Sequence, residues 1–296
     1  AAPMWCCAAT SRPGADAFEA SGADAEALPI VGTAPSWPRG SGRASEGVYH
    51  GEWQGRLRHG RGELRWPGGA TFVGEFVHGR ATGQGTFTYS SGDVHTGQWL
   101  DDLAHGQGEY KHAGGSTYSG TWYMDKRHGH GVETWPDGPR YEGQFWRGSK
   151  AGMGSFVGVD GSRYTGEFVH NDIHGHGTYT WSDGSQFCGE WEHNKMHGEG
   201  VFEWSDGRSY SGQYRNDLKD GIGTFKWADG RKYEGSWQGG KRHGKAVYTK
   251  AGVAREGYWE NGNRVCWGED PWGPVGGTDG GPAAPPAAAN GRVVHV

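Results

Sequence analysis

Six histidines open a His-Gly pair at one recurring place in the chain, at His59, His105, His128, His174, His197 and His243. His130 and His176 extend two of these into H-G-H-G stretches. Histidines at i and i+2 share one face of a strand, so each stretch could offer two imidazoles to a cation. No carboxylate or cysteine completes a four-ligand set at a workable spacing. The expectation is that each His packs at a chain bend and hydrogen-bonds backbone, with no metal and no cofactor. Gly239-Gly240-Lys241-Arg242-His243-Gly244-Lys245 has the outline of a phosphate-binding loop, but Ala246 stands where Ser or Thr must reach Mg²⁺. Cys188 is the one mid-chain thiol, and the matching slots elsewhere hold His50, Val73, Thr96, Ser119 and Thr165, which marks a surface position rather than a nucleophile. No Ser lies in a nucleophile elbow. No catalytic residue is assigned, and the chain reads as non-enzymatic.

Cations scatter over the loops at Lys126, Arg127, Arg147, Lys150, Lys195, Lys241 and Arg242. Near a membrane surface each would contribute about 1 kcal/mol toward anionic headgroups, although no dense cluster forms in sequence. Cys6 and Cys7, beside Trp5, are candidates for palmitate, and the end Val294-His295-Val296 has the form that PDZ domains capture as an added strand.

What must position all of these is a unit that recurs every 23 residues. Its glycine column runs Gly51, Gly74, Gly97, Gly120, Gly143, Gly166, Gly189, Gly212 and Gly235. Two residues earlier stands a first ring column: Tyr49, Phe72, His95, Tyr118, Tyr141, Tyr164, Phe187, Tyr210, Tyr233. Two residues later stands a second: Trp53, Phe76, Trp99, Trp122, Phe145, Phe168, Trp191, Tyr214, Trp237. Alternation of ring and polar residues is the period of a strand with two unlike faces. In residues 164–186, Tyr164, Gly166 and Phe168 alternate with polar residues. Gly175, Gly177, Tyr179 and Trp181 then do the same, and Asp183-Gly184 makes a turn before the next unit. Each unit is therefore a β-hairpin. A third ring column, Trp66, Tyr89, Trp135, Trp181, Trp204 and Trp227, comes from the returning strands. The opposite face of the first strand, from Glu52, Glu75 and Gln98 to Gln213 and Ser236, reads as wet. A glycine on the ring face leaves a pit in which a neighbouring ring can lie over bare backbone.

At these residues the chain resembles the MORN-repeat family (membrane occupation and recognition nexus), whose unit runs Y-x-G-x-W-x-x-G-x-x-H-G-x-G and closes on D-G. The resemblance covers residues 49–259, with local departures at Thr82, Ala151 and Asp220 for the His, His95 for a leading ring and Ala246 for a Gly. It implies a long, curved, single-layer antiparallel sheet with a groove. It also implies roles as scaffolds and protein-binding arms in cytoskeletal, flagellar and membrane-associated assemblies, or as accessory regions of enzymes such as phosphatidylinositol-phosphate kinases. Phospholipid binding is a further property proposed for the family.

Composition agrees with a repeat array and excludes an aliphatic core. Of 296 residues, 58 are Gly and only 33% are hydrophobic, while 12 of the 16 Trp lie between residues 53 and 259. A net charge of -5 argues against nucleic acid as a partner. The fold expected is all-β, an elongated single-layer antiparallel sheet of stacked hairpins. Residues 47–267 form the array, with nine complete repeats, a partial cap and about 19 strands. Residues 1–46 form a disordered Ala/Gly/Ser/Pro-rich leader, and residues 268–296 a flexible tail. The function expected is a cytoplasmic scaffold, cytoskeleton- or membrane-associated, that binds a protein helix or extended segment, or a second copy of itself, in an aromatic groove. Trp99, Trp122, Tyr141, Phe168, Trp181 and Trp191 are the groove residues. The alternatives are a peripheral phosphoinositide-binding module or, for a chain that opens on Ala1, the accessory part of a longer enzyme.

Because each unit touches only its neighbours, deleting residues 164–186 as a block is expected to leave a folded, shorter array. Circular dichroism and a urea melt of the deletion check this; loss of the cooperative transition would contradict it.

Overall fold

The computed structural model describes residues 47–268. The leader, the tail beyond Gly268, the Cys6-Cys7 pair and the Val294–Val296 end lie outside them. All regular structure among the described residues is β-strand, in twenty segments. They fall into two compact units, one of residues 47–159 with 168–171 and one of residues 160–167 with 172–268.

In the first unit, leading strands Val48–Gln54, Thr71–Val77, Val94–Leu100, Thr117–Tyr123 and Arg140–Trp146 each pair antiparallel with the strand that follows. The returning strands are Leu57–Arg65, Arg80–Thr88, Leu103–Lys111, Lys126–Thr134 and Ser149–Val157. The first four of these pair in turn with the next leading strand. The second unit repeats the pattern from Asp172–Thr180 and Gln186–Glu192 onward. It ends on a shortened tenth hairpin, Val253–Glu260 with Asn263–Trp267, whose returning strand has five residues where the earlier ones have nine or ten. Trp267 reaches back to within 6.0 Å of Trp259 and 6.1 Å of Tyr248, ring centre to ring centre, which closes that end with aromatic packing.

Two local devices make the hairpins. The bend between leading and returning strand is a two-residue loop with both residues left-handed, as at Asp101 (φ 50) and Asp102 (φ 68) or His193 (φ 48) and Asn194 (φ 65). This is the geometry whose twist suits a tight hairpin, and Asn and Asp tolerate it best. The second device is a bulge: the register slips between Gly51 and Trp53 and at the same place in later hairpins. Three residues of the returning strand there stand opposite one of the leading strand, and the middle one is a left-handed glycine, as at Gly60 and Gly106.

Both devices are tied down by side chains. Gln98 Oε1 accepts from the Gln107 amide at 2.8 Å, Glu167 from His176 at 3.0 Å and Gln213 from Ile222 at 2.9 Å. The Glu/Gln ladder that reads as wet thus satisfies a bulge donor. The bend residues hold consecutive hairpins together. Asp102 Oδ1 accepts from the Ala81 amide at 2.8 Å and its own amide donates to Ala81 O at 3.0 Å. Asp125 does the same to Ala104 and Asn194 to Ile173.

The core is a strip of rings laid over a rail of glycines. Glycines face glycines across successive strands in the first unit: Gly51, Gly62, Gly74, Gly85, Gly97, Gly108, Gly120, Gly131, Gly143, Gly154. Each first-column ring lies across such a pair. The Tyr164 ring covers Gly166 and Gly177, and its hydroxyl donates to Glu167 O at 3.0 Å. A Cβ at Gly166 would stand 2.5 Å from Gly177 Cα and 2.6 Å from His176 O, distances that no side chain occupies. Second-column tryptophans bridge backward, with Trp99 Nε1 donating to Gly85 O at 3.0 Å and Trp191 Nε1 to Gly177 O at 3.2 Å. Gly166→Val is therefore expected to cost about 1–3 kcal/mol through overpacking. A urea melt checks it, and an unchanged midpoint would contradict the pit.

Candidate binding surface

Five of the six ring residues singled out from sequence lie inside this strip: Trp99, Trp122, Tyr141, Phe168 and Trp191 are all 6% exposed or less. Trp181 is half-buried. Rings of the first and second columns meet edge to face, as Tyr141 does with Phe145 at 5.2 Å and with Phe168 at 5.1 Å. These rings cover one another and the glycine rail, so little of their surface is left for a partner. The pattern of alternation shows which face a ring takes; how completely neighbouring rings seal it is a matter of packing.

A further ring column escapes the sequence reading. Leu64, Phe87, Tyr110, Phe156, Phe202, Phe225 and Tyr248 stand opposite the first column in register. At the same position of the fourth hairpin stands Glu133, fully buried. The Arg127 guanidinium binds one of its oxygens, and Lys150 Nζ approaches the other at 2.9 Å. Trp135 and Tyr141 lie 4.9 and 5.2 Å from Lys150 Nζ. Burial pulls the Lys150 pKa down, and Glu133 opposes that shift. Three charges sealed among rings in this way pair with each other instead of facing substrate.

The other departure, His95, is fully buried and neither ring nitrogen meets a hydrogen-bond partner. Burial alone lowers its pKa to about 4. The His-Gly histidines behave differently from the expectation that they bond backbone. Nδ1 of His59, His105, His128 and His174 is buried and meets no hydrogen-bond partner, and their rings pack on neighbouring rings instead. Among the described residues no group of three His, Cys, Asp or Glu is placed to hold a metal. Gly239 and Gly240 form the bend before the strand Lys241–Lys250, so the Lys241–Lys245 segment lies in a hairpin. Cys188 lies mid-strand between Thr178 and Val201 and is half-buried.

A row of exposed apolar side chains lies on the face opposite the strip, while Trp53 at the start of the strip is itself 56% exposed. At the last position of successive leading strands stand Val77, Leu100, Tyr123, Trp146 and Val169, between 39% and 57% exposed. The corresponding positions of the second unit are Glu192, Arg215 and Gln238. Histidines fill the gaps around the two rings: His105 lies 5.4 Å from Tyr123, His128 lies 5.6 Å from Tyr123, and His128 lies 4.7 Å from Trp146. The result is a run of four rings, His105–Tyr123–His128–Trp146, each tilted 45–50° to the next, with Arg147 over its end at 5.7 Å. Sequence carried a signal for this row, since these positions turn from apolar to polar between the sixth and seventh repeats.

The MORN repeat model matches nine consecutive segments: 49–71, 72–94, 95–117, 118–140, 141–163, 164–186, 187–207, 210–230 and 233–252. The chain belongs to the MORN-repeat family. The tenth hairpin lies beyond the last matched segment. Among curated proteins no sequence matches this MORN-repeat chain. Among solved structures, the TCP10 domain of Danio rerio CPAP, in complex with a peptide of Danio rerio STIL, is similar at 13% identity. Its TM-score is 0.44, over 76% of this chain and 99% of that one. The SAS-4 (dCPAP) TCP domain of Drosophila melanogaster, in complex with a proline-rich motif of Ana2, is similar at 14% identity and TM-score 0.34, over 63% of this chain and 99% of that one. The bound peptides are those proteins' own ligands.

His95 supplies a pH prediction. Its pKa of about 4 in the folded MORN array lies below the ordinary 6.5. Between these values the unfolded chain takes up a proton that the folded chain refuses, so stability falls as pH falls through this window. The loss tends toward roughly 3 kcal/mol once pH is below both values. His95→Phe restores the ring that the column carries elsewhere, and is expected to stabilise the protein at neutral pH and to remove this part of the acid sensitivity. Urea midpoints from pH 7 down to about 4 check it; identical pH slopes in both proteins would contradict it.

Proposed function

We propose that this protein is a non-enzymatic MORN-repeat scaffold that holds a protein partner against its strands. The observation that carries this reading is the row Val77, Leu100, Tyr123, Trp146 and Val169, large apolar side chains held in solvent at a fixed step. Contiguous apolar surface on a folded protein usually marks an interaction site, and Tyr and Trp dominate binding hot spots. Of the six ring residues named from sequence, Trp181 has the exposure to touch a partner. Trp99, Trp122, Tyr141, Phe168 and Trp191 act through packing, by fixing the strand that carries each exposed side chain. As an assembly scaffold the protein would work in the cytoplasm, on cytoskeletal or membrane-associated structures.

Site-specific photo-cross-linking tests the reading. A benzophenone side chain in place of Trp146 is expected to capture a protein, and Tyr123→Ser in the same chain is expected to reduce that adduct by about tenfold. A benzophenone in place of Trp53, also exposed but outside the row, serves as control. Capture of lipid alone at position 146, or equal capture from both positions, would overturn the proposal.

A further inference from the structure

The row of exposed side chains has a period set by the sheet. Each hairpin advances it by two strands, about 9.6 Å. An extended polyproline-II segment has three residues per turn and rises about 3.1 Å per residue, hence about 9.3 Å per turn. Every third residue of such a segment therefore falls on successive members of the row, with a mismatch of a few tenths of an ångström per hairpin. A helix has no such match, since its side-chain stripe repeats at about 5.4 Å. The tilted run of rings His105–Tyr123–His128–Trp146 also has the chemistry that proline rings pack on, and aromatic-lined surfaces are the usual docking sites of P-x-x-P segments.

Charge narrows the occupant. Opposite Val77 and Tyr123 in register stand Arg80 and Lys126, and Arg147 follows Trp146. Arg80 already faces Asp101 at 3.6 Å, and Asp102 and Asp125 accept from the Ala81 and Ala104 amides, so Lys126 and Arg147 set the charge of the border. The border of the row thus favours a segment that brings carboxylates with its prolines.

The chain itself contains one. Beyond Gly268 it reads Glu269-Asp270-Pro271-Trp272-Gly273-Pro274, and then Asp279 ahead of Pro282-Ala283-Ala284-Pro285. Both proline pairs have the spacing of three that one hairpin step requires, and the three acids precede them. We infer that the row from Leu100 to Val169 is a docking site for the acidic, proline-bearing tail, residues 269–286, of a second copy of this protein. Proline rings sit on Tyr123 and Trp146, and tail carboxylates face Lys126 and Arg147. This rests on the reading of the row as a protein-binding surface and names its occupant. Because the polyproline form has no internal hydrogen bonds to break, docking it needs side-chain contacts alone. A chain whose row and tail engage different neighbours would assemble head to tail.

Fluorine NMR of the full chain labelled with fluorotryptophan tests this, with Trp146→Phe assigning the Trp146 resonance. The host carries Pro271→Gly, Pro274→Gly, Pro282→Gly and Pro285→Gly, so that its own tail does not compete. The probe is a synthetic peptide of residues 269–290. The expected result is a saturable shift of the Trp146 resonance, weakened about tenfold or more by Tyr123→Ser and weakened also by salt. In the wild-type chain the same resonance is expected to move with protein concentration. The inference is overturned if the peptide leaves Trp146 unmoved at about 1 mM, or if a peptide with all its prolines changed to Gly shifts it equally. It is also overturned if the wild-type shift is independent of concentration, which would put the tail on its own chain. Should the peptide fail while the cross-linker at position 146 captures a different protein, the docking surface stands and only its occupant is wrong.

Discussion

The glycine rail is the constraint on which the rest depends. Two strands of an antiparallel pair stand close enough that side chains on one face collide or pack. Here, at one level of nearly every strand, both partners have none. That absence lets Tyr164 lie flat over Gly166 and Gly177 and reach Glu167 O with its hydroxyl. A flat ring buries more backbone than an upright one, and it leaves room for the second-column ring to stand edge-on above it, as Trp191 does at 5.8 Å. A sheet poor in Leu and Ile can thus bury its rings almost completely. In the second unit the rail is interrupted by Ala246, opposite Gly235, and by Trp267, opposite Gly257; the strand that holds Ala246, Lys241–Lys250, is one residue longer than the returning strands before it.

Burial of the rings has a consequence for function. A face that is saturated by its own packing has little to offer a partner, however aromatic its sequence. The apolar side chains left in solvent at a fixed step are those placed past the bulge at the bend end of the second to sixth leading strands, on the opposite face. There the Glu/Gln ladder and the His-Gly histidines are spent on the bulge and on each other, and Val77, Leu100, Tyr123, Trp146 and Val169 remain in solvent. The same positions become Glu192, Arg215 and Gln238 later in the chain, so the repeats are equivalent in fold and unequal in surface. Repetition supplies the spacing, and variation at one position makes one stretch of the surface apolar and another polar.

The buried charges follow the same logic. Glu133 occupies a slot that is aromatic or leucine elsewhere, and its two oxygens are met by Arg127 and Lys150 from the slots that hold Ala81, Ala104 and Ile173 in other hairpins. Removing one charge would strand the others in a ring-lined interior, a change that costs about 3–5 kcal/mol. Such a cluster holds its stretch of chain to one arrangement of side chains. His95 has no comparable partner, which is why its burial shows as a depressed pKa and not as an ion pair.

Sequence by itself determined the hairpin, the 23-residue period, the alternation that assigns rings to one face, and the family. Those depend on local pattern: period two along a strand, Gly where a ring must lie, Asp-Gly where the chain turns. It also located Gly166 as a pit and His95 as a misfit. It did not determine the reach between hairpins. The clasp from Asn194 to Ile173 spans 21 residues and depends on a left-handed bend, and the bond from Glu167 to His176 depends on a bulge that no spacing reveals. Nor could it settle exposure. Trp122 and Tyr123 are neighbours in sequence, yet one is 3% exposed and the other 53%, because a strand sends consecutive side chains to opposite faces and only stacking of the hairpins decides which face is sealed.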